Sequence, residues 1–425
     1  MPECEVLVIG GGPAGSTIAA LLASRGRDVV VLEKERHPRF HIGESLLPLN
    51  LPLFERLGVA EEIDRIAMPK YGAEFVSPWH ACPVTFEFSE AWDKAFPLAY
   101  QVRRSQFDEI LFRNATRKGA RTLEGCRAIS VEPRADGATV TSRSDAGAEQ
   151  RWQTRFLVDA SGRETFLAGR LGMKRRSRKH NSAAIFAHFT GAARLSGKAE
   201  GNITVFWFDH GWLWFIPLSD NVTSVGAVCW PYYMKSRQTE LERFLFDTIA
   251  MCPSLAARLR NARLTSPVTA TGNYSYCAER STGDNYLLLG DAFTFIDPVF
   301  STGVYLAMHS AFVGADTIEH CLDRPAKARA ALKAFDASVR RGPRIFSWFI
   351  YRATTPSLRD LFMDPSDRFR MKEAVLALLA GDVYRGMPFR WRLRLFRLIY
   401  YMHNAMQPRR TWRAWLQRRQ WIRPA

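Results

Sequence analysis

Residues 4–34 read CEVLVIGGGPAGSTIAALLASRGRDVVVLEK, and the order of that text decides the fold. Val6, Leu7, Val8 and Ile9 form an apolar run of strand length, and Gly10-x-Gly12-x-x-Gly15 follows at once. Ala19, Leu21, Leu22 and Ala23 then supply a helix that Gly26 stops, and DVVVLEK is a second strand ending on Glu33. In such a unit Gly10 permits the tight turn and Gly12, with Ala14 beside it, lets a pyrophosphate approach the backbone. Gly15 lets helix and strand close on each other, the helix N-terminus faces the phosphates, and Glu33 takes ribose hydroxyls. An acid at that place, where an arginine would meet a 2′-phosphate, leaves FAD and NAD as the candidate dinucleotides.

Working outward, the chain has 425 residues, 47% hydrophobic and 24% charged, the composition of a globular protein. The first apolar run lacks the basic flank of a signal peptide and is cut by GGGP, and no other stretch approaches a spanning helix. The seven cysteines are scattered without CxxC spacing and the nine histidines without HExxH, so reduced thiols, a cytoplasmic location and no metal site are expected. The net charge of +17 is concentrated toward the end: residues 381–425 carry eleven arginines against the single acid Asp382. That polarity points to an acidic partner, while the absence of a recognisable nucleic-acid-binding motif argues against DNA or RNA.

Two later stretches choose between the dinucleotides. FLVDASGRET (156–165) is a strand running into Asp159 and Gly162, and DNYLLLGDAFTF (284–295) is another running into Gly290-Asp291. With these in this order after the glycine turn, the sequence resembles the flavoprotein monooxygenase superfamily of para-hydroxybenzoate hydroxylase-like fold. The resemblance implies FAD, with Asp291 on the ribityl chain and Arg104, in QVRRSQFDEIL (101–111), leaning over the cofactor from a helix start. Read alone, Asp291 is a helix N-cap before AFTF. A second dinucleotide motif is missing, so a separate flavin reductase is expected to supply FADH2.

Four further segments narrow the resemblance to flavin-dependent halogenases. WLWFIP (212–217) matches W-x-W-x-I-P, FIDPVFSTG (295–303) matches F-x-x-P-x-x-S-x-G, HIGESLLP (41–48) resembles the G-E-S stretch with Ser45 near the flavin, and Lys70 in MPKYGAEF (68–75) matches the family's catalytic lysine. The resemblance implies that FADH2, dioxygen and chloride or bromide generate a small oxidant, and that backbone N–H groups at Thr302 and Gly303 hold the halide. It also implies that Trp212, Trp214 and Pro217 wall the flavin chamber from the substrate, and that Lys70 hydrogen-bonds the oxidant or becomes its chloramine. Alternation alone sends Trp212, Trp214 and Ile216 to one face of a strand and Leu213 and Phe215 to the other, both apolar. Taken singly, the tryptophans read as core, Lys70 as a loop lysine and Ser301-Thr302-Gly303 as a helix cap.

Tryptophan halogenases carry Glu before S-T-G, and Phe300 stands there in this chain. The fit is therefore to enzymes acting on phenols, pyrroles or acyl groups on a carrier protein. A monooxygenase, a prenyl-lipid reductase and a flavoprotein without turnover are the other readings.

The expected fold class is α/β in two lobes. A discontinuous Rossmann-like FAD-binding domain takes residues 1–74, 101–173 and 281–344. A mostly antiparallel substrate-side sheet takes 75–100 and 174–280, and a basic helical region takes 345–425. In that region FRWRLRLFRLIYYM (389–402) winds with Trp391, Leu395, Leu398 and Met402 on one stripe and arginines beside it. RRTWRAWLQRRQW (409–421) is a second cationic helix. A packed helix with a solvated arginine face, a dock for an acidic carrier, and contact with a membrane surface are the three readings of this tail.

Overall fold

The computed structural model describes residues 1–177, 180–272 and 275–422; Arg423 of the basic tail lies outside the described residues. Two large sheets organise it. The first is built on five parallel strands in the order Tyr286–Leu288, Glu149–Asp159, Glu3–Ile9, Val29–Leu32, Arg121–Leu123. In the central strand Glu3–Ile9 the apolar run Val6–Ile9 is buried throughout, with helix Pro13–Ser24 crossing one face, as that run requires. An antiparallel pair, Cys126–Arg134 and Gly137–Ser144, hangs from strand Glu149–Asp159.

The second sheet runs Arg263–Leu264, Ala183–Thr190, Val222–Cys229, Gly211–Pro217, Ile203–Phe208, Gly72–Val76, Val84–Glu87. It is antiparallel except where Ile203–Phe208 lies parallel to Gly72–Val76. Strand Gly211–Pro217 is central and wholly buried, and its alternation is as the sequence dictates. Trp212, Trp214 and Ile216 join the large core shared with the dinucleotide sheet, whereas Leu213 and Phe215 face a second core. That second core is closed by helices Leu241–Ala250 and Pro253–Arg258, which contribute Phe244, Leu245 and Leu255.

The C-terminal third is helical: Gly303–Asp323, Ala328–Ile350, Pro356–Met363, Met371–Leu379, Arg390–Met406 and Pro408–Ile422. Helix Arg390–Met406 forms where expected, but the buried stripe is Leu393, Phe396 and Tyr400; Trp391, Leu398 and Met402 are about half exposed. The body packs aromatic rings on the buried stripe, where Phe396 stacks on Phe349 and Tyr400 meets Trp348 edge-on. Helix Pro408–Ile422 buries no residue fully. No described helix is long and apolar enough to cross a membrane.

The helical region closes on the second sheet through Phe362, whose ring meets Phe75 and Phe86 and stacks on Phe300. Phe215→Ala removes a ring that is 1% exposed from the second core. The expected loss is about 3–5 kcal/mol of unfolding free energy, measured by urea unfolding.

Candidate functional site

The glycine turn forms the cradle its spacing predicts. Gly10 has φ +100°, and a Cβ there would lie 2.5 Å from the Ala160 carbonyl oxygen. A Cβ on Gly15 would run into the Gly10 carbonyl oxygen, so helix Pro13–Ser24 can seat on its strand only with glycine. Above Gly12 the space stays open, with the Arg39 guanidinium 3.6 Å from a notional Cβ. Glu33 is buried at the end of its strand; its Oε2 accepts from the Gly11 N–H at 2.7 Å and its Oε1 from the Glu35 N–H at 2.9 Å. The cradle and its acid fit an adenosine diphosphate moiety.

Asp291 sits in a short turn, Gly290–Ala292, followed by strand Thr294–Phe295, and therefore caps no α-helix. Gly290 touches the cradle: a Cβ there would lie 3.7 Å from that of Ala14. Burial raises the Asp291 pKa to about 6 against the pull of Arg163 and Arg104. Arg104 opens helix Arg104–Arg117, donates twice to Asp108 (2.7 and 2.9 Å) and gives its Nη1 to the Ile42 carbonyl at 2.9 Å. Asp159 is turned inward, accepting from the Ser161 and Leu167 N–H groups at 2.9 and 2.7 Å, so it shapes its loop around Gly162 (φ +62°).

Lys70 is not a loop lysine. It ends strand Met68–Lys70, is 2% exposed, and donates to Ser45 Oγ and the Leu46 carbonyl, both at 3.0 Å. Its ammonium lies 5.3 Å from the Phe88 ring centroid. Among the described residues no carboxylate hydrogen-bonds or ion-pairs with it, and burial lowers its pKa to about 7. Beside Ser45, Glu44 is held by His188 Nε2 at 3.0 Å to each oxygen, a pair that no sequence motif announced. Glu74, close to Lys70 in sequence, points the other way and bonds Thr204 and Arg258, each at 2.7 Å.

Trp212 meets the turn before helix Gly303–Asp323 through Asp297. Trp212 Nε1 donates to Asp297 Oδ1 at 3.2 Å, and Oδ2 takes His180 Nε2 and the Ser182 hydroxyl, each at 2.8 Å. Trp214 lies 6.0 Å from Trp212, ring to ring, and gives its Nε1 to Ser224 Oγ; Pro217 ends the same strand. Past Asp297, Ser301 has φ +56°, and Thr302 precedes helix Gly303–Asp323. The Thr302 hydroxyl is buried with no partner among the described residues, and a Cβ at Gly303 would meet open space. An orphaned donor beside the first free N–H groups of a 21-residue helix fits a small anion. His180 and Ser182 carry no motif, and only the folded chain brings them to Asp297.

Lys70 is expected to titrate near pH 7, read from the NMR shift of its isotope-labelled ε-methylene. Between about pH 7 and 10.5 the unfolded chain then holds the proton that the folded chain has released, so stability relative to Lys70→Met rises with pH across that window, read as Tm.

Comparisons with known proteins agree with this geometry. The model of the FAD binding domain family matches residues 3–337. A 1H-pyrrole-2-carbonyl-[peptidyl-carrier protein] chlorinase of Pseudomonas fluorescens is 30% identical over 413 residues, 90% of each chain. Among solved structures, the myxobacterial chondrochloren halogenase CndH superposes with a TM-score of 0.80 at 34% identity, covering 91% of both chains. The flavin-dependent brominase Bmp2 gives 0.80 at 26% identity over 95% of this chain and all of its own. A glycine cradle for FAD, a buried lysine and a tryptophan-lined strand thus stand in a chain that belongs to the FAD-binding-domain family and, within it, to the flavin-dependent halogenases.

Proposed function

We propose that this halogenase modifies an electron-rich aromatic ring presented on a carrier protein, with Lys70 as the residue that hands over the halogen and a separate reductase supplying FADH2. Bound reduced FAD supplies, with dioxygen and chloride or bromide, a hypohalous acid. Gly10, Gly12, Ala14, Gly15 and Glu33 would hold its adenosine diphosphate half, and Ser45, Arg104, the Asp159–Gly162 loop and Asp291 would surround the rest. Thr302 and Gly303 would fix the halide.

The observation that carries the reading is the buried Lys70 without a carboxylate partner. A lysine with a pKa near 7 keeps a large neutral fraction at physiological pH, and a neutral amine accepts a halogen. The amine takes X from HOX with loss of water, and the ring then takes X from nitrogen as the ring proton departs and the amine is restored. Trp212 and Trp214, anchored through Asp297 and Ser224, would keep the substrate ring on the far side, so that only the small oxidant crosses. Phe300, stacked on Phe362, leaves that wall apolar and suits a neutral phenol or pyrrole. The pyrrole-carrier chlorinase among the relatives supports a tethered substrate.

The test combines the protein, FAD, a flavin reductase, NADH, oxygen and bromide with free and carrier-loaded phenols and pyrroles, read by mass spectrometry. Lys70→Ala is expected to keep its FAD and lose about 10²–10⁴-fold in brominated product. The kcat of the wild type is expected to rise with pH through about 7, as the amine form grows. A falling limb would instead assign Lys70 the ammonium form, donating a hydrogen bond to the oxidant. Product gaining oxygen but no bromine would refute the screening role of the tryptophans.

A further inference from the structure

Helix Arg390–Met406 is apolar on two opposite faces, and the fold covers one of them. At about 100° per residue, Leu393, Phe396 and Tyr400 point into the core, while Trp391, Leu395, Leu398, Met402 and Met406 fall on the other side. On that second side Trp391, Leu398, Met402 and Met406 are 49–78% exposed. Large apolar side chains thus form a ridge along about 22 Å of helix surface. Single exposed hydrophobic residues are ordinary, but a contiguous ridge of them marks an interaction surface. The next helix, Pro408–Ile422, also exposes large rings: Trp412 and Trp415 are stacked at 5.0 Å, with Arg409 and Arg413 exposed beside them.

Charge says what the ridge meets. After Asp382 the chain carries eleven arginines and no acid. Arg390 and Arg394, both exposed, follow one edge of the ridge. Arg392 follows the other, its guanidinium 4.4 Å from the Trp391 ring centroid. Arg392 Nε also donates to the Phe369 carbonyl at 2.9 Å, which sets one more exposed aromatic residue, Phe369, beside the first turn of the helix. A ridge is convex, so a folded partner would need a groove cut to match it, whereas acyl chains close around any shape. Trp, Leu and Met settle at the depth of the headgroups, and flanking guanidiniums reach up to lipid phosphates. We propose that helix Arg390–Met406 is a membrane-surface anchor that lies flat in a bilayer containing anionic lipid, its apolar ridge among the acyl chains and Arg390, Arg392 and Arg394 on the phosphates. The anchor shares no residue with the halogen-transfer reading.

Co-sedimentation of the full chain, loaded with FAD, tests this with vesicles of phosphatidylcholine and of an equal mixture of phosphatidylcholine and phosphatidylglycerol. Binding to the anionic vesicles is expected to exceed binding to the neutral ones by at least about tenfold and to weaken as salt rises. The double change Leu398→Gln, Met402→Gln is expected to weaken anionic-vesicle binding by at least about tenfold. Its Tm is expected to match the wild type, because both side chains already face solvent. Arg390→Gln with Arg394→Gln should erode the preference for anionic over neutral vesicles. Vesicle binding indifferent to Leu398 and Met402 would be adsorption by charge alone and would overturn the proposal. So would binding of an acidic carrier protein, or self-association of the chain, that needs those two residues while vesicles fail to bind: the ridge would then belong to a protein interface.

Discussion

A carboxylate removed from water must be surrounded by donors, and the way Asp297 meets that requirement holds the site together. Its two oxygens accept from the Trp212 indole, the His180 ring, the Ser182 hydroxyl and the Val299 N–H. These donors come from the central strand of the second sheet, from the segment leading into that sheet and from the turn that begins helix Gly303–Asp323. One buried charge thus fixes the tryptophan strand against the turn where a small anion fits. Breaking any single donor leaves the charge partly uncompensated, which costs more than the bond itself contributes.

The opposite choice is made at Lys70. Here a charge-bearing group is buried with two neutral acceptors and no acid among the described residues, so burial lowers its proton affinity. Asp297 is ringed by donors, whereas Lys70 has no counter-charge among the described residues. Burial of Lys70 with no counter-charge among the described residues is unfavourable for folding, and a group kept in that state is a candidate for chemistry.

Aromatic packing sets the boundaries of these spaces. Phe362, more than 270 residues beyond Phe75 and Phe86 in sequence, closes on both of them and on Phe300. The Phe300 ring stacks on Phe362, an apolar setting that offers no donors to a carboxylate. The helical region therefore packs on the second sheet through Phe362 and is not an appendage to it.

The sequence by itself determined the dinucleotide unit, because the steric demands on Gly10 and Gly15 are local and leave a spacing that can be read directly. It also determined the inward and outward faces of strand Gly211–Pro217, because a period of two needs no partner to be seen. Motif resemblance marked Lys70, Ser45, Trp212 and Thr302 singly. Tertiary structure alone decided that Lys70 meets Ser45, that Glu74 turns away to Arg258, and that His180 and Ser182 converge on Asp297. It also decided which stripe of helix Arg390–Met406 is buried, since both stripes are apolar and the rings of Trp348 and Phe349 pack on one of them. Periodicity and backbone sterics act within a few residues and are written in the chain. Burial, proton affinity and hydrogen-bond partnership depend on what distant segments bring, and are not.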